Sequence, residues 1–239
     1  MTACAVCLSV DIAPLTDKNG YSFSRCNSCD FIFLDPMPDQ NELNTQYTRH
    51  DQEAEPTYNK SGSRMRRAFM KLPRFYPYAK HQDTLDLGCG GGFIAHALSM
   101  IAKSSTGIDI SENAVAYAKN RFKRPQYYCK SFSDLLEIDQ QYGFIYSSEV
   151  IEHVSDVNLF MRVIQKLAAP GAYVYITTPD SGHPKVPANI NDWDVFCPPI
   201  HVQFFSRKTV AALFERYGFQ IINFYKNKKP GLIFLARKD

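Results

Sequence analysis

Two groups of residues in this sequence are of the types, and at the spacings, that do chemistry. Cys4 and Cys7 form one C-x-x-C pair and Cys26 and Cys29 a second, with 18 residues between the pairs. Each C-x-x-C makes a tight knuckle that presents two thiolates to one ion. Two knuckles complete a tetrahedral S4 shell, which predicts a closed, structural zinc site with no open position for catalysis. The competing redox reading needs a C-x-x-C that opens a helix after a strand, and neither pair has that setting. Cys89, Cys129 and Cys197 read as small packing residues.

The second group is Glu149, Glu152 and His153, at i, i+3 and i+4 on a strand-to-helix junction. Helical spacing puts these ligand-capable groups on one side. His201 stands in Pro198-Pro-Ile-His201-Val-Gln-Phe-Phe-Ser206, on a loop before a helix that Ser206 is expected to cap, a position from which it is expected to face the same cleft.

The elements that carry these groups follow from the pattern of apolar residues. From Thr84, short apolar runs alternate with helical stretches, which predicts βαβ units and a mainly parallel sheet. Strands are expected near 84–87, 105–109, 126–129, 143–148 and 172–177, and helices near 93–102, 111–122, 156–167 and 206–217. The closing segment FQIINFYKNKKPGLIFLARKD reads as two strands around an Asn-Lys-Lys-Pro-Gly turn. The expected fold is therefore α/β: a Rossmann-like, mainly parallel seven-stranded sheet with an antiparallel C-terminal hairpin and a small N-terminal zinc ribbon. Asp35-Pro-Met-Pro-Asp39 breaks regular structure, giving a ribbon over 1–36, a linker and helical cap over 37–80 and a cofactor domain over 81–239. In the cap, Arg64, Met65, Ala68, Phe69 and Leu72 lie at helical spacing. The insertion SGHPKVPANINDWDVFCPPI, with its prolines and Trp193, predicts an ordered lid. Asp180, after Thr177-Thr-Pro179, reads as an ordinary turn residue.

The totals limit what such a chain does. At 239 residues it holds one full α/β domain and a small appendage. A formal charge of +3 with 21% charged residues is ordinary globular composition and argues against a dedicated nucleic-acid partner. No run approaches the eighteen or so apolar residues of a membrane span, and the first residues lack a signal-peptide pattern. The expected location is cytoplasmic, where seven cysteines stay reduced. Oligomeric state is not written in the sequence.

Thr84-Leu-Asp-Leu-Gly88-Cys-Gly90-Gly-Gly92-Phe follows a strand and opens a helix, the setting in which a glycine turn lets backbone approach a ligand closely. Counted from Gly88, a dinucleotide fingerprint would need its third glycine where Phe93 stands; counted from Gly90, where Ala95 stands, which is allowed. Asp109 in Gly107-Ile-Asp109-Ile-Ser111 lies about 20 residues on and suits ribose hydroxyls. A tight turn and a helix-capping acid are the bland readings of the same residues.

In this order, LDLGCGGGF, GIDIS and SSEVIEHV resemble the successive motifs of class I S-adenosylmethionine-dependent methyltransferases, over roughly residues 84–236. The resemblance implies that Asp86 with Gly88, Cys89, Gly90 and Gly92 holds the methionine end. It gives Asp109 the ribose, Ser131 and Phe132 the adenine, and Ile110 and Glu149 a contact with cofactor. The chain departs from the pattern at Ser131, where many relatives carry an acid, and at Gly143, where an aspartate is usual.

CAVC, CNSC and FLDPMP are similar to the heads of ribbon-bearing methyltransferases of bacterial polysaccharide and natural-product pathways, which implies a sugar or other small-molecule acceptor. Specificity for it is expected in the insertion and in residues 47–75, where Tyr47, Tyr58 and Arg66 read first as ordinary packed aromatics and a surface cation and second as contacts to acceptor or cofactor carboxylate. E-x-x-E-H with a later histidine resembles the divalent-metal site of the O-methyltransferases that make ubiquinone and of those that modify small-RNA 3′ ends. That implies Mg²⁺ or a similar ion on Glu149, Glu152, His153 and His201, although two histidines are unusual for Mg²⁺. Three readings stay open: this cation, direct proton transfer by His153 or His201, and histidines that serve structure alone. The function expected is S-adenosylmethionine-dependent O-methylation of a small-molecule, sugar or glycoconjugate hydroxyl. The alternatives are RNA 3′-terminal 2′-O-methylation, C- or N-methylation, and a non-catalytic cofactor-sensing ribbon module.

Overall fold

The apolar runs after Thr84 form strands where the alternation puts them, and the computed structural model describes residues 3–40, 42–43 and 61–239. The chain divides into two compact units: 1–49, 149–161 and 176–236 in one, 50–148, 162–175 and 237–239 in the other.

In the second unit, β4 (Asp83–Leu87), β5 (Ser104–Asp109), β6 (Gln126–Cys129) and β7 (Tyr142–Ser148) are parallel, with Leu85 paired to Thr106 and to Ile145, and Thr106 to Gln126. Thr84 to Leu87 are all buried, because a parallel strand covered on both faces has no solvent side. The helices are α1 (Ser61–Ala79), α2 (Phe93–Leu98), α3 (Glu112–Arg121), capped by Ser111 Oγ on Ala114 N–H, and the short α4 (Phe132–Leu135). Phe93, Ala95, Ala97, Val115, Ala118, Phe122 and Tyr127 form one core cluster, to which α1 brings Ala68 with Met65 and Leu72. Phe75 of α1 is fully buried between Phe144, Tyr146 and Tyr175, at centroid distances of 5.6, 5.4 and 5.0 Å. The inward stripe thus runs 65, 68, 72, 75 and 79, and Phe69, counted in the expected face, is 37% exposed. Helix α2 is shorter than expected because Met100 and Ile101 N–H reach back only three residues, to Ala97 and Leu98, tightening its end.

The remaining elements are α5 (Val157–Leu167), β8 (Ala168–Pro179), α6 (Arg207–Arg216), β10 (Phe219–Phe224) and β11 (Gly231–Lys238). The large sheet has the order β10-β11-β8-β7-β4-β5-β6, with antiparallel C-terminal strands on a mainly parallel sheet.

The first unit contains a four-stranded sheet in the order β1 (Ile12–Lys18), β2 (Tyr21–Cys26), β3 (Ile32–Leu34), β9 (Gln203–Phe204), antiparallel throughout. The register of β1 shifts between Pro14 and Thr16, where proline has no N–H to give the ladder. The insertion expected as a lid supplies core instead. Trp193 and Phe196 are 5% and 0% exposed and pack with Phe23, Leu34 and Phe204, since aromatics of that size are held by apolar burial. Among the described residues, no helix is long and apolar enough to cross a membrane.

Candidate functional site

The glycine turn leaves the carboxyl end of β4. Gly88, Gly90 and Gly92 all have positive φ, and a Cβ on Gly92 would come within 2.7 Å of the Tyr127 ring and 2.8 Å of Ala118 Cβ. Only glycine meets both demands at 92. Gly88 and Cys89 donate their N–H groups to Ile108 C=O at 2.8 and 2.9 Å, which ties the turn to β5. Asp109 Oδ2 accepts Gly90 N–H at 2.7 Å while Oδ1 accepts Ser111 N–H at 2.9 Å. Lys130 N–H reaches Asp109 C=O at 3.1 Å, so β6 delivers Ser131 and Phe132 beside the end of β5.

Asp86 lies beneath this turn, 2% exposed, its Oδ2 accepting Ala95 N–H at 2.9 Å. Burial, with the Asp109 charge adding to it, pushes its carboxyl up to about 7 against that hydrogen bond. Ile110 stays 42% exposed next to Asp109. Ser131 is committed to capping α4: its hydroxyl donates to Asp134 Oδ2 at 2.8 Å and accepts Asp134 N–H. Gly143 has its own cause, since a Cβ there would fall 2.1 Å from Gln82 Oε1.

Strand β7 ends level with β4, Leu87 pairing with Ser147, and the E-x-x-E-H segment follows directly. Glu149 adopts a left-handed φ of 56°, a conformation that costs a non-glycine residue about 1 kcal/mol or more. Two bonds to one residue hold it there: its N–H donates to Thr177 C=O at 2.9 Å, and its Oε1 accepts Thr177 Oγ1 at 2.8 Å. Ile151–His153 then form a single 3₁₀ turn, clamped by Gln203 Nε2, which donates to Ile151 C=O at 2.6 Å and Val154 C=O at 3.0 Å.

This turn buries Glu152 completely. Its Oε2 accepts Thr178 Oγ1 at 3.0 Å, and its Oε1 has no hydrogen-bond partner. Burial first, then the Glu149 charge, push this carboxyl well above the usual range. His153 Nδ1 lies 2.7 Å from Ile200 C=O and His201 Nδ1 2.7 Å from Val195 C=O. A carbonyl only accepts, so each Nδ1 carries a proton, and in a neutral ring Nε2 is the acceptor nitrogen; His153 Nε2 lies 4.0 Å from Glu152 Oε1. Burial holds His201 below the usual imidazole range, in its neutral form. One ligand atom from each of Glu152, His153 and His201 falls within 4.8 Å of the others. Glu149 keeps its carboxylate on Thr177.

The four N-terminal cysteines converge within the same 4.8 Å limit, with Sγ separations of 3.6 Å for Cys4 and Cys29 and 3.5 Å for Cys7 and Cys26. These separations far exceed a disulfide and approach the ~3.8 Å edge of a tetrahedron with metal–sulfur bonds of about 2.3 Å. The two knuckles repeat one geometry. Leu8 N–H bonds Cys4 C=O and Asp30 N–H bonds Cys26 C=O, both at 2.9 Å, and Leu8 and Asp30 share a φ of 64°. A hydrogen bond from Cys29 holds the Cys4 thiol down at about 5 and pushes Cys29 up. Of the cysteines read as packing residues, Cys89 is buried but Cys129 is exposed, and Cys197 Sγ sits 3.7 Å from His201 Nδ1.

A family model described as a methyltransferase domain matches residues 61–223. The chain belongs to that family. A ubiquinone biosynthesis O-methyltransferase of Rhizobium etli is 32% identical to this methyltransferase domain over 98 residues, covering 39% of the chain and 40% of the relative. One from Coxiella burnetii is 32% identical over 103 residues, covering 41% and 44%. The chain thus spans less than half the length of these curated relatives. Among solved structures, an S-adenosylmethionine-dependent methyltransferase of Mesorhizobium loti superposes with a TM-score of 0.58 at 20% identity, covering 70% of this chain and 95% of that one. Magnesium protoporphyrin IX methyltransferase of Synechocystis, with bound SAH, gives 0.57 at 14%, covering 79% and 100%. These likenesses establish the fold.

Sequence reasoning about this methyltransferase domain missed Thr177, Thr178 and Gln203, which position Glu149, Glu152 and the 3₁₀ turn. Two polar residues closing an apolar strand were the available signal for the threonines; Gln203 offered none. Arg66 is exposed on α1, and Tyr47 and Tyr58 lie outside the described residues.

Proposed function

We propose that the chain transfers a methyl group from S-adenosylmethionine to a hydroxyl of a small-molecule acceptor. The observation that carries this is the pair of histidines whose Nδ1–H groups are both spent on backbone carbonyls beside a buried carboxylate oxygen that accepts no hydrogen bond and lies 4.0 Å from His153 Nε2. Asp86 and the turn from Gly88 to Gly92 would hold the amino-acid end of the donor, and Asp109 would accept its ribose hydroxyls. Ile110 and Phe132 would offer apolar contact to the adenine. When bound, the donor supplies an electrophilic methyl on a sulfonium; the chain's part is to align it with the acceptor oxygen.

Glu152, His153 and His201 fit a divalent cation. The orphaned Glu152 oxygen needs a positive partner, and an imidazole that donates its other N–H to a carbonyl is oriented for ligation. Two imidazoles favour a transition ion over Mg²⁺. A cation there would lower the pKa of an acceptor hydroxyl. A second reading rests on the same tautomers: His153 Nε2 takes the hydroxyl proton directly. The four cysteines would hold zinc as a structural ion of the ribbon. The cysteine head, similar to that of polysaccharide and natural-product enzymes, and the ubiquinone O-methyltransferase relatives support a small-molecule acceptor, with sugars and glycoconjugates first in a screen.

The test is calorimetric titration with S-adenosylhomocysteine, then turnover of hydroxyl acceptors with and without chelator. Micromolar binding is expected, with turnover lost in His153→Ala and His201→Ala at unchanged affinity. No binding overturns the proposal, and chelator-resistant turnover selects the proton-transfer reading.

A further inference from the structure

The first unit contains a cavity of about 480 Å³ lined by Asp180, His183, Arg207, Tyr225, Lys226 and Lys228 among others. Three cationic side chains face a single carboxylate there. That carboxylate is committed: Asp180 is 5% exposed and its Oδ1 accepts Gly182 N–H at 3.0 Å. His183 is committed as well. Its Nδ1 accepts Lys185 N–H at 3.1 Å and its Nε2–H donates to Asn227 C=O at 3.3 Å. Among the described residues no salt bridge involves Arg207, Lys226 or Lys228.

The turn that carries the exposed Lys226 and Lys228 is held by its own hydrogen bonds. Asn227 Nδ2 donates to Gly231 C=O at 3.1 Å, its Oδ1 accepts Lys229 N–H at 3.3 Å, and Tyr225 N–H bonds Ile233 C=O at 2.8 Å, so the turn bearing both lysines is closed on itself. Arg207 lies over the Phe224 ring, 5.2 Å from its centroid. A planar guanidinium with two ammonium groups matches a multiply charged phosphoryl group better than a single carboxylate. The volume falls within the ~300–1,000 Å³ of small-molecule sites, and Pro184 and Leu232 add apolar wall, so an organic group attached to the phosphate also fits.

We propose that this cavity binds a phosphoryl or diphosphoryl group, and that this group is one end of the acceptor. The second half rests on the methyltransferase reading above. Its support is adjacency on one strand end: Thr178 bonds Glu152, and Asp180, two residues on, lines the cavity. At ~3.4 Å per extended residue the Cα atoms of Thr178 and Asp180 are about 7 Å apart along the strand end. The acceptor class is therefore a phosphorylated or diphosphate-linked hydroxyl compound.

Titration of the full chain with inorganic pyrophosphate at fixed ionic strength tests this, with S-adenosylhomocysteine titrated in parallel. Saturable binding is expected, weakened at least tenfold in Lys226→Ala/Lys228→Ala and unchanged in the control Lys119→Ala/Lys123→Ala. Arg207→Gln, away from the turn, should weaken binding similarly, and near-ultraviolet circular dichroism checks that each variant is folded. Absent binding, or binding that ignores these substitutions, overturns the proposal. If pyrophosphate fails while S-adenosylhomocysteine binds, only the cavity assignment falls. If the reverse holds, the methyltransferase reading falls and with it the acceptor half of the proposal.

Discussion

Thr178 Oγ1 donates to Oε2 of the fully buried Glu152 at 3.0 Å, a hydrogen bond that favours its carboxylate form. Thr178→Val keeps the shape and removes the donor. A buried carboxyl left without its partner costs about 1–3 kcal/mol, to be read from denaturant midpoints. The loose carboxylate should also weaken divalent-cation binding by roughly ten- to a hundred-fold, the usual effect of removing such a support. Thr178→Ser should restore both. Equal cation affinity in wild type and Thr178→Val would remove Glu152 from the ligand set.

The cysteine cluster makes a different prediction, because its four sulfurs come from both ends of a β1–β2 hairpin with a small core. Cys26→Ser should lower bound zinc from one per chain to near none and destabilise the first unit, and prolonged chelation of the wild type should do the same. Elemental analysis with thermal melts checks it. If turnover per folded molecule survives in the variant, the site is structural; a specific loss of turnover would give the ribbon a part in acceptor binding.

What the sequence made legible follows from the range of the forces involved. The strands around Asp86 and Asp109 and the turn at Gly88 to Gly92 were readable because local apolar runs and steric demands dictate them. The two knuckles were readable because ligand spacing is a local property. The convergence of Glu152, His153 and His201 was legible from three signals: spacing joined the first two, and the loop before the Ser206-capped helix and the resemblance pointed to His201, although the bond to Val195 that orients its ring has no periodic signature. Gln203 was not readable, because it acts through carbonyls of residues about fifty positions away. The insertion misled for a similar reason. Trp193 and Phe196 carry the composition of a lid, and only the arrival of Phe204 beside β3 makes them core.

Asp86 supplies a pH prediction. Its folded pKa of about 7 lies above the ~3.9 of an unfolded aspartate, so the folded chain holds a proton that the unfolded chain has released between those values. The stability this contributes is fully present below the unfolded pKa and is lost as pH rises through about 7. Asp86→Asn, which keeps an oxygen for Ala95 N–H, should therefore gain on the wild type across that window, by up to about 1.4 kcal/mol for each pH unit. Binding should move the other way, since a donor ammonium favours the carboxylate. Wild-type affinity for S-adenosylhomocysteine should rise from pH 6 to 8, and that of Asp86→Asn should stay flat. Chemical denaturation and calorimetry across the range test both halves, and parallel pH curves for the two proteins would refute the assignment.

Gly143 gives the cleanest steric test, because the obstacle to a side chain there is itself a side chain. A Cβ at 143 would stand 2.1 Å from Gln82 Oε1, 2.9 Å from its Cδ and 3.2 Å from its Cβ. Gly143→Asp, which installs the residue usual in the resembling family, must push Gln82 out or shift β7. Gln82 is exposed and the two tightest contacts are with the far end of its flexible side chain, so most of the clash is relieved by its swinging aside and the cost should stay below about 1 kcal/mol. Most of the cost should vanish in Gly143→Asp/Gln82→Gly, because that background removes all three contacted atoms. A double-mutant cycle on urea midpoints should therefore return a coupling of about 0.5 kcal/mol, the low end for residues in contact. If the two substitutions add instead, the backbone of β7, rather than Gln82, is what excludes a side chain at 143.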